Sequence, residues 1–308
     1  MKGTRTLVLV CACVVFAAGA AYVAYASLKH APAGTPAPSG VAAAGEAPAV
    51  APTPGQLAAC ERLPRPPASP APRTAAAGPI ISINFDDGFL SAYQYGIPLF
   101  NAAGFPVTAY VISGDLTRAG RMDLTQVKAL ASAGNEIGAH TITHPLLTQV
   151  PEAQAITEVC GSRQALLSLG IDTTTFAYPD GYTDSAVESI VQAAGFSGAR
   201  NTKAGLNTAL TDPYELRSYQ VTASTTLPML EYAIAQAAGT KEWLIITFHR
   251  VDDPGNPISV PHTFIEGLIA YLKTAGIPVV TNAEGLALKR RIAGTQSDLR
   301  DLPVTPRA

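Results

Sequence analysis

Two adjacent carboxylates have the residue type and position that hydrolytic chemistry requires. Asp86 and Asp87 directly follow the apolar run Ile80–Phe85. Placing two carboxylates together at the end of a buried strand costs desolvation and mutual repulsion unless a cation or a proton is supplied. A helix N-cap or an Asp-Gly turn with Gly88 is the alternative interpretation of this pair.

Two of the chain's five histidines form a second candidate group. His140 and His144 are four residues apart, just after the apolar segment Glu136–Ala139. This spacing presents two imidazoles on one side of a helical turn, and two histidines with a carboxylate form a metal-ligand set with an open coordination position. We therefore predict a divalent metal at this pair, on a strand expected to lie near Asp87.

Two more polar segments end apolar runs. His249 follows Trp243–Phe248, and it could donate a proton because histidine titrates near neutral pH. A capping or surface histidine is the alternative. The turn Pro179-Asp180-Gly181 follows Tyr178, and its backbone N–H groups could face an oxyanion.

The apolar runs that carry these residues alternate with helical stretches. Such alternation predicts an α/β fold with a mainly parallel sheet, and about 230 residues with about eight strands favour an irregular (β/α) barrel over a doubly wound open sheet. In either fold, functional groups gather past the carboxyl ends of the strands. The predicted strands are Ile80–Phe85, Val107–Ile112, Glu136–Ala139, Thr174–Tyr178, Ser197–Arg200, Leu216–Val221, Trp243–Phe248 and Pro278–Thr281. The predicted helices are Leu124–Ala133, Glu152–Leu169, Ser185–Ala194, Leu227–Ala238 and Thr263–Ala275. The glycines predicted to end helices with positive φ are Gly104, Gly134, Gly170, Gly195, Gly239 and Gly276.

The N-terminal segment is predicted to meet a membrane. Leu7–Ala26 is an uncharged apolar run of 20 residues, long enough as a helix to span a bilayer's hydrocarbon core. Its length favours a retained anchor, whereas Ala24-Tyr25-Ala26 has the form of a signal-peptide cleavage site. Lys2 and Arg5 precede the run and favour a cytoplasmic N-terminus, so either interpretation exports the rest of the chain.

A linker is predicted after this segment. Ala31–Pro79 contains 12 Pro and 16 Ala and has no aromatic residue, so it cannot bury enough apolar surface to offset chain ordering. The predicted division is a membrane anchor or signal peptide at 1–30, a disordered linker at 31–78, a catalytic domain at 79–290 and a C-terminal tail at 291–308.

Charge and cysteine content narrow the possible partners and the compartment. Residues 78–308 carry a net charge of −6. This part of the chain therefore has no excess of positive charge to attract a phosphate backbone, and nucleic-acid binding is not expected. Only Cys60 and Cys160 would be exported. Two thiols in an oxidising compartment can pair, but the sequence does not show whether these two do.

Four motifs in order resemble the polysaccharide deacetylase family, the NodB homology domain of carbohydrate esterase family four. The resemblance covers about residues 78–285 and implies a distorted (β/α) barrel. It also implies Asp87, His140 and His144 as metal ligands, Asp86 as general base and His249 as general acid. The motifs are Asn84-Phe85-Asp86-Asp87-Gly88, His140 to His144, Ala177-Tyr178-Pro179-Asp180-Gly181, and Ile246-Thr247-Phe248-His249.

The chain departs from the family pattern in three places. Ala177 stands where an arginine usually pairs with the base, and Asp180 stands where an aromatic residue is commoner. No clear Asp-x-x-Asp-Trp motif precedes the last motif. This leaves the partner of His249 unassigned. Because Ala177 replaces the usual arginine, the cationic partner of Asp86 stays open among Arg200, Arg217 and Arg250.

These features together predict a divalent-metal-dependent hydrolase that removes acetyl groups from an extracytoplasmic polysaccharide. Zinc is preferred over cobalt or nickel as the metal, and N-acetyl groups are preferred over O-acetyl groups as the target. The predicted contacts to the oxyanion and the substrate are Tyr178, Pro179 and Asp180. A membrane-tethered carbohydrate-binding protein with a degenerate site is the alternative. A glycosidase that uses the adjacent aspartates fits poorly, since neighbouring residues rarely hold carboxylates at the ~5–9.5 Å which that reaction needs.

Overall fold

The computed structural model describes residues 60, 63–64 and 78–300, with the backbone alone for 292–300. The predicted membrane segment Leu7–Ala26 and most of the predicted linker lie outside these residues. In the described part of the chain, no helix combines the length and the apolar character needed to cross a bilayer.

Seven parallel strands form the central sheet, and their order along it is β5-β4-β3-β2-β1-β7-β6. In a closed barrel each strand lies beside the next one in the chain and the last strand lies beside β1. This sheet has that order with the contact between β5 and β6 open, whereas in a doubly wound sheet β6 would lie next to β1. The prediction of a parallel α/β fold of the barrel type is confirmed, and the barrel is incompletely closed. The strands are β1 Ile80–Phe85, β2 Thr108–Val111, β3 Glu136–Ala139, β4 Thr175–Ala177, β5 Gly198–Arg200, β6 Tyr219–Gln220 and β7 Trp243–Phe248, and a separate parallel pair consists of β8 Arg250–Val251 and β9 Ser259–Val260.

One short segment contacts both open edges of the sheet. Leu216 pairs with Arg200 at the end of β5, and three residues later Tyr219 pairs with Ile246 of β7. The predicted strand Leu216–Val221 is therefore divided between the two edges. The predicted strand Pro278–Thr281 is likewise reduced to a single bridge between Val279 and Ile81.

Helices cover the sheet and follow the predicted alternation. A π-helical turn at Ala92–Gly96 leads into the first helix. The α-helices are α1 Ile97–Ala102, α2 Leu124–Ser132, α3 Glu152–Ser168, α4 Ser185–Ala193, α5 Leu227–Thr240, α6 His262–Ala275 and α7 Asn282–Arg300. Sequence periodicity did not predict α7. This helix begins at Asn282, its Leu286 and Leu288 belong to one buried cluster with Trp243, and it continues past residue 290, the predicted end of the domain.

The helix-ending glycines behave as predicted with one exception. Five of the six have positive φ, but Gly239 lies inside α5, and Lys241 takes the left-handed conformation with φ 60°. The prediction for Gly239 is wrong because the helix continues to Thr240, and the residue that caps it is Lys241.

Residues within the predicted linker contact the domain. Cys60 is buried and forms a disulfide with Cys160 of α3, with Cα atoms 5.3 Å apart. Arg163, one turn further along α3, is buried and donates to the carbonyl oxygens of Pro64 at 2.5 Å and Ala194 at 2.8 Å. Desolvation lowers the pKa of the Arg163 guanidinium. Cys60, Leu63 and Pro64 therefore contact the packed domain.

We expect reduction of this disulfide to lower the thermal stability of the domain substantially. Cys60 and Cys160 are 100 residues apart, and closing such a loop in the unfolded chain is worth about 4–5 kcal/mol in the chain-entropy model. The melting temperature should fall by roughly 10 °C. The double variant Cys60→Ser/Cys160→Ser should melt at the same lower temperature and should not respond to reductant. Equal melting curves of the wild type with and without reductant would refute this.

Candidate metal centre

Three side chains at the carboxyl edge of the sheet converge on one point. Asp87 follows β1, and His140 and His144 follow β3. The Asp87 Oδ1 atom lies 3.5 Å from His140 Nε2 and 3.4 Å from His144 Nε2, and the two Nε2 atoms are 3.1 Å apart. All three side chains are buried or nearly so. Among the residues that the structure describes, this group has the composition and closeness of a metal site.

The protonation of His140 is fixed by its second ring nitrogen. His140 Nδ1 lies 2.7 Å from the carbonyl oxygen of Ala177, which can only accept a hydrogen bond. In the neutral ring the lone pair is therefore on Nε2, the atom that faces Asp87 and His144. Basic atoms that converge in this way repel one another unless a cation or protons lie between them.

The ligand distances fit a small divalent ion. A tetrahedral ion with bonds of ~2.0–2.2 Å separates its ligand atoms by about 3.3–3.6 Å. The three observed separations of 3.1, 3.4 and 3.5 Å lie at or near this range. One carboxylate with two imidazoles is also a donor set that leaves room for solvent on a catalytic metal.

The backbone around these ligands is unusual. Asp87, Thr141 and His144 have positive φ values of 64–68° although none is a glycine. Left-handed conformations of this kind cost about 1–3 kcal/mol each and persist only where surrounding contacts hold them. Within the turn, the Thr141 hydroxyl accepts the His144 N–H at 2.9 Å.

The adjacent carboxylate, Asp86, has a different environment. Arg200 Nη2 contacts both Asp86 carboxylate oxygens, and both side chains are buried. His249 Nε2 lies 3.9 Å from Asp86 Oδ2. The two neighbouring aspartates thus have different surroundings. Asp86 contacts Arg200 directly and lies near His249, whereas Asp87 Oδ1 faces His140 and His144, and Asp87 Oδ2 lies 3.9 Å from Arg121 Nη1.

Arg200 takes the place of the arginine that the family pattern has at position 177. Ala177 on β4 and Arg200 on β5 are register partners. In a parallel sheet such partners lie about 4.8 Å apart with side chains on the same face. An arginine at position 200 on β5 can therefore place its guanidinium beside Asp86, as an arginine at position 177 on β4 could.

The surroundings of Arg200 hold it in one orientation. Its guanidinium lies 5.1 Å from the ring centroid of Tyr110. In the amide orientation that satisfies the Asn84 side chain, the Asn84 oxygen accepts from Arg200 Nε at 3.3 Å. The other two candidates lie elsewhere: Arg217 Nη1 donates to the Ala204 carbonyl, and Arg250 pairs with Asp253.

The third predicted motif lies next to His140, and each of its residues has its own set of contacts. Asp180 and Gly181 have positive φ, and a Cβ on Gly181 would lie 2.1 Å from the Thr202 hydroxyl, which donates to the Asp180 carbonyl. Pro179 is buried. The Tyr178 phenol is also buried and donates to the Tyr214 carbonyl at 3.0 Å, so this side chain has a structural partner. The substrate contact predicted at this turn stays a prediction.

Arg121 is a neighbour of the site that sequence reasoning missed. Its Nη1 donates to the Asp87 carbonyl at 2.7 Å, its Nε lies 3.2 Å from Asp115 Oδ2, and its guanidinium stacks 4.0 Å from the Phe89 ring centroid. Desolvation lowers the pKa of Arg121, and the carboxylates of Asp87 and Asp115 oppose that shift. No motif or spacing in the sequence marks this arginine.

Comparison with known proteins finds a family match over the part of the chain that contains this site. Residues 74–199 match the family model described as polysaccharide deacetylase. The matched stretch contains the three converging ligands and Asp86, and it ends just before Arg200. The resemblance inferred from the sequence motifs is therefore confirmed.

Two curated relatives and one solved structure show how far the likeness extends. YxkH of Bacillus subtilis (strain 168), provisionally named a polysaccharide deacetylase, is 25% identical over 126 residues, which are 41% of this chain and 45% of that protein. A gellan lyase of Bacillus sp is 29% identical over 140 residues, or 44% of this chain and 6% of that protein. The chain thus matches less than half the length of either relative. The Xyl-CE4 domain of a multidomain xylanase from the hindgut metagenome of Trinervitermes trinervoides has a TM-score of 0.51 at 20% identity, covering 69% of this chain and 91% of that one, and shares the fold.

Proposed function

Because residues 74–199 belong to the polysaccharide deacetylase family, we propose that this chain is a metal-dependent hydrolase that removes acetyl groups from a polysaccharide and releases acetate. The observation that carries the proposal is the convergence of Asp87, His140 and His144 beside Asp86 and His249 at one edge of the sheet. N-acetyl groups are the preferred target and O-acetyl groups the second.

The proposed metal is zinc, with cobalt and nickel as alternatives, held by Asp87, His140 and His144. Once bound, a divalent ion of this kind lowers the pKa of a water molecule and polarises an acyl carbonyl. The hydrogen bond from His140 Nδ1 to the Ala177 carbonyl keeps one ligand in the required tautomer.

Asp86 is the proposed general base. It takes a proton from the attacking water, while Arg200 contacts both of its carboxylate oxygens and fixes its orientation. The backbone N–H groups of the turn at Asp180 are proposed to face the oxyanion that develops on the acetyl carbonyl oxygen. His249, which lies beside Asp86, is proposed to donate a proton to the departing sugar nitrogen or oxygen. The water oxygen thus bonds to the acetyl carbon, the bond from that carbon to the sugar breaks, acetate is released, and the sugar keeps a free amine or hydroxyl.

The proposed location is outside the cytoplasm. A disulfide between Cys60 and Cys160 supports this, since structural disulfides persist mainly in oxidising compartments. The apolar run Leu7–Ala26 would serve as a membrane anchor, or as a signal peptide if it is cleaved. A catalytic domain over residues 79–290, extended by the packed segment at Cys60, would then meet a polysaccharide of the cell surface or periplasm.

The alternative of a carbohydrate-binding protein with a degenerate site was based on the missing arginine at Ala177 and on the missing Asp-x-x-Asp-Trp motif. The pairing of Arg200 with Asp86 supplies the cation that this alternative assumed to be absent. The hydrolase is therefore the function that the geometry supports best.

We expect acetate release from at least one polysaccharide in a panel of acetylated chitin oligomers, poly-N-acetylglucosamine, peptidoglycan and acetylated xylan. A chelator should abolish the release and added zinc should restore it. Binding of these polysaccharides without acetate release by the zinc-loaded protein would favour the binding-protein alternative.

A further inference from the structure

Glu158 is a buried acidic side chain on α3 whose carboxylate faces the turn between the two histidine ligands. Its Oε2 accepts the backbone N–H groups of Ile142 at 2.8 Å and Thr143 at 2.9 Å, and its Oε1 accepts the Thr143 hydroxyl at 2.6 Å. Glu158 is 6% exposed. Both carboxylate oxygens are thus used by two successive residues of one turn, and neither residue is itself a metal ligand.

This turn needs support from outside. Thr141 and His144, at its two ends, both have a φ of 64°, a conformation that residues other than glycine keep only when other contacts hold it. The peptide groups of Ile142 and Thr143 lie between them, so a displacement there moves His144 relative to His140. Ser113 and Gly114 support the other side of the turn by donating to the carbonyls of Thr141 and Ile142 at 3.0 Å.

We propose that Glu158 is a positioning residue for the metal centre: it holds the Ile142–Thr143 peptides so that the two histidines converge before the metal binds, and it thereby sets the metal affinity. The inference rests on the proposed metal site and does not depend on which polysaccharide is the substrate. Support of a ligand from outside the coordination shell commonly changes metal affinity 10- to 100-fold.

Zinc affinity, measured by competition with a chromophoric chelator, tests this directly. Glu158→Ala should bind zinc about 10- to 100-fold more weakly than the wild type. Glu158→Gln should stay within about threefold, because its carbonyl oxygen can accept both N–H groups and its amide can donate to the Thr143 hydroxyl. Leu166→Ala is the matched control. It removes a fully buried side chain two turns further along α3 and should lower the melting temperature without changing zinc affinity.

Each measurement has a result that would overturn the proposal. These results are wild-type zinc affinity in Glu158→Ala, an equal loss in Leu166→Ala, or a loss in Glu158→Gln as large as in Glu158→Ala. If Glu158→Ala does not fold, Thr143→Val decides, since it removes only the hydroxyl of an exposed residue. We expect it to weaken zinc binding about fivefold, and no change would overturn the proposal. A wild-type protein that binds no zinc would instead refute the proposed function itself.

Discussion

Replacing Asp86 by asparagine should lower kcat/KM for deacetylation by about 10²- to 10⁴-fold while leaving zinc affinity within a few-fold of the wild type. The amide has nearly the same shape but cannot accept the proton from water. Zinc affinity should persist because the three atoms that converge belong to Asp87, His140 and His144. Initial rates of acetate release and a zinc titration of the same sample measure the two quantities.

The neighbouring variant Asp87→Asn is the matched control for this prediction. It makes the same chemical change one residue away, and it should lose both zinc affinity and activity. The opposite pattern, with zinc lost in Asp86→Asn and kept in Asp87→Asn, would show that the roles of the two carboxylates are assigned the wrong way round. A normal rate in Asp86→Asn would remove this residue from the mechanism.

Replacing Arg200 by alanine should lower kcat/KM about 10- to 150-fold, the value of a hydrogen bond to a charged group. It should also lower the free energy of unfolding by about 3–5 kcal/mol, because the buried Asp86 carboxylate loses its cation. Activity therefore has to be measured at a temperature where the melting curve shows the variant fully folded.

A second substitution separates lost positioning from general damage. Ala177 is the register partner of Arg200 on the adjacent strand, so an arginine there can reach the same carboxylate. Ala177→Arg added to Arg200→Ala should recover at least about tenfold of the lost kcat/KM, since it restores a hydrogen bond to a charged group. Wild-type activity in Arg200→Ala, or no recovery in a well-folded double variant, would contradict the assignment of Arg200 as the partner of Asp86.

Sequence reasoning anticipated the convergence of Asp87, His140 and His144 because the carboxyl ends of parallel strands lie together. Asp87, His140 and His144 each follow a predicted strand, and the carboxyl ends of parallel strands meet at one edge of the sheet. The bounds of β1, β3 and β7 also agreed with the prediction, since each is an apolar run with a polar residue directly after it.

The parts that sequence reasoning missed depend on contacts between distant segments. Arg200 was one of three candidates because only the register of β4 with β5 places it beside Asp86. Glu158 lies on a helix with no motif of its own, and its role follows only from the packing of α3 against the turn before it. The pairing of Cys60 with Cys160 likewise depends on where Cys60 packs against the domain, which composition does not encode.

The central claim is that one zinc ion, held by Asp87, His140 and His144, supports deacetylation. The most direct measurement titrates the metal-free protein with zinc and follows acetate release from the best substrate of the panel. We predict that the rate rises linearly and reaches its plateau at one zinc per chain, and that His140→Ala shows neither tight binding nor a rise. Full acetate release by the metal-free protein, or an unchanged titration in His140→Ala, would contradict the claim.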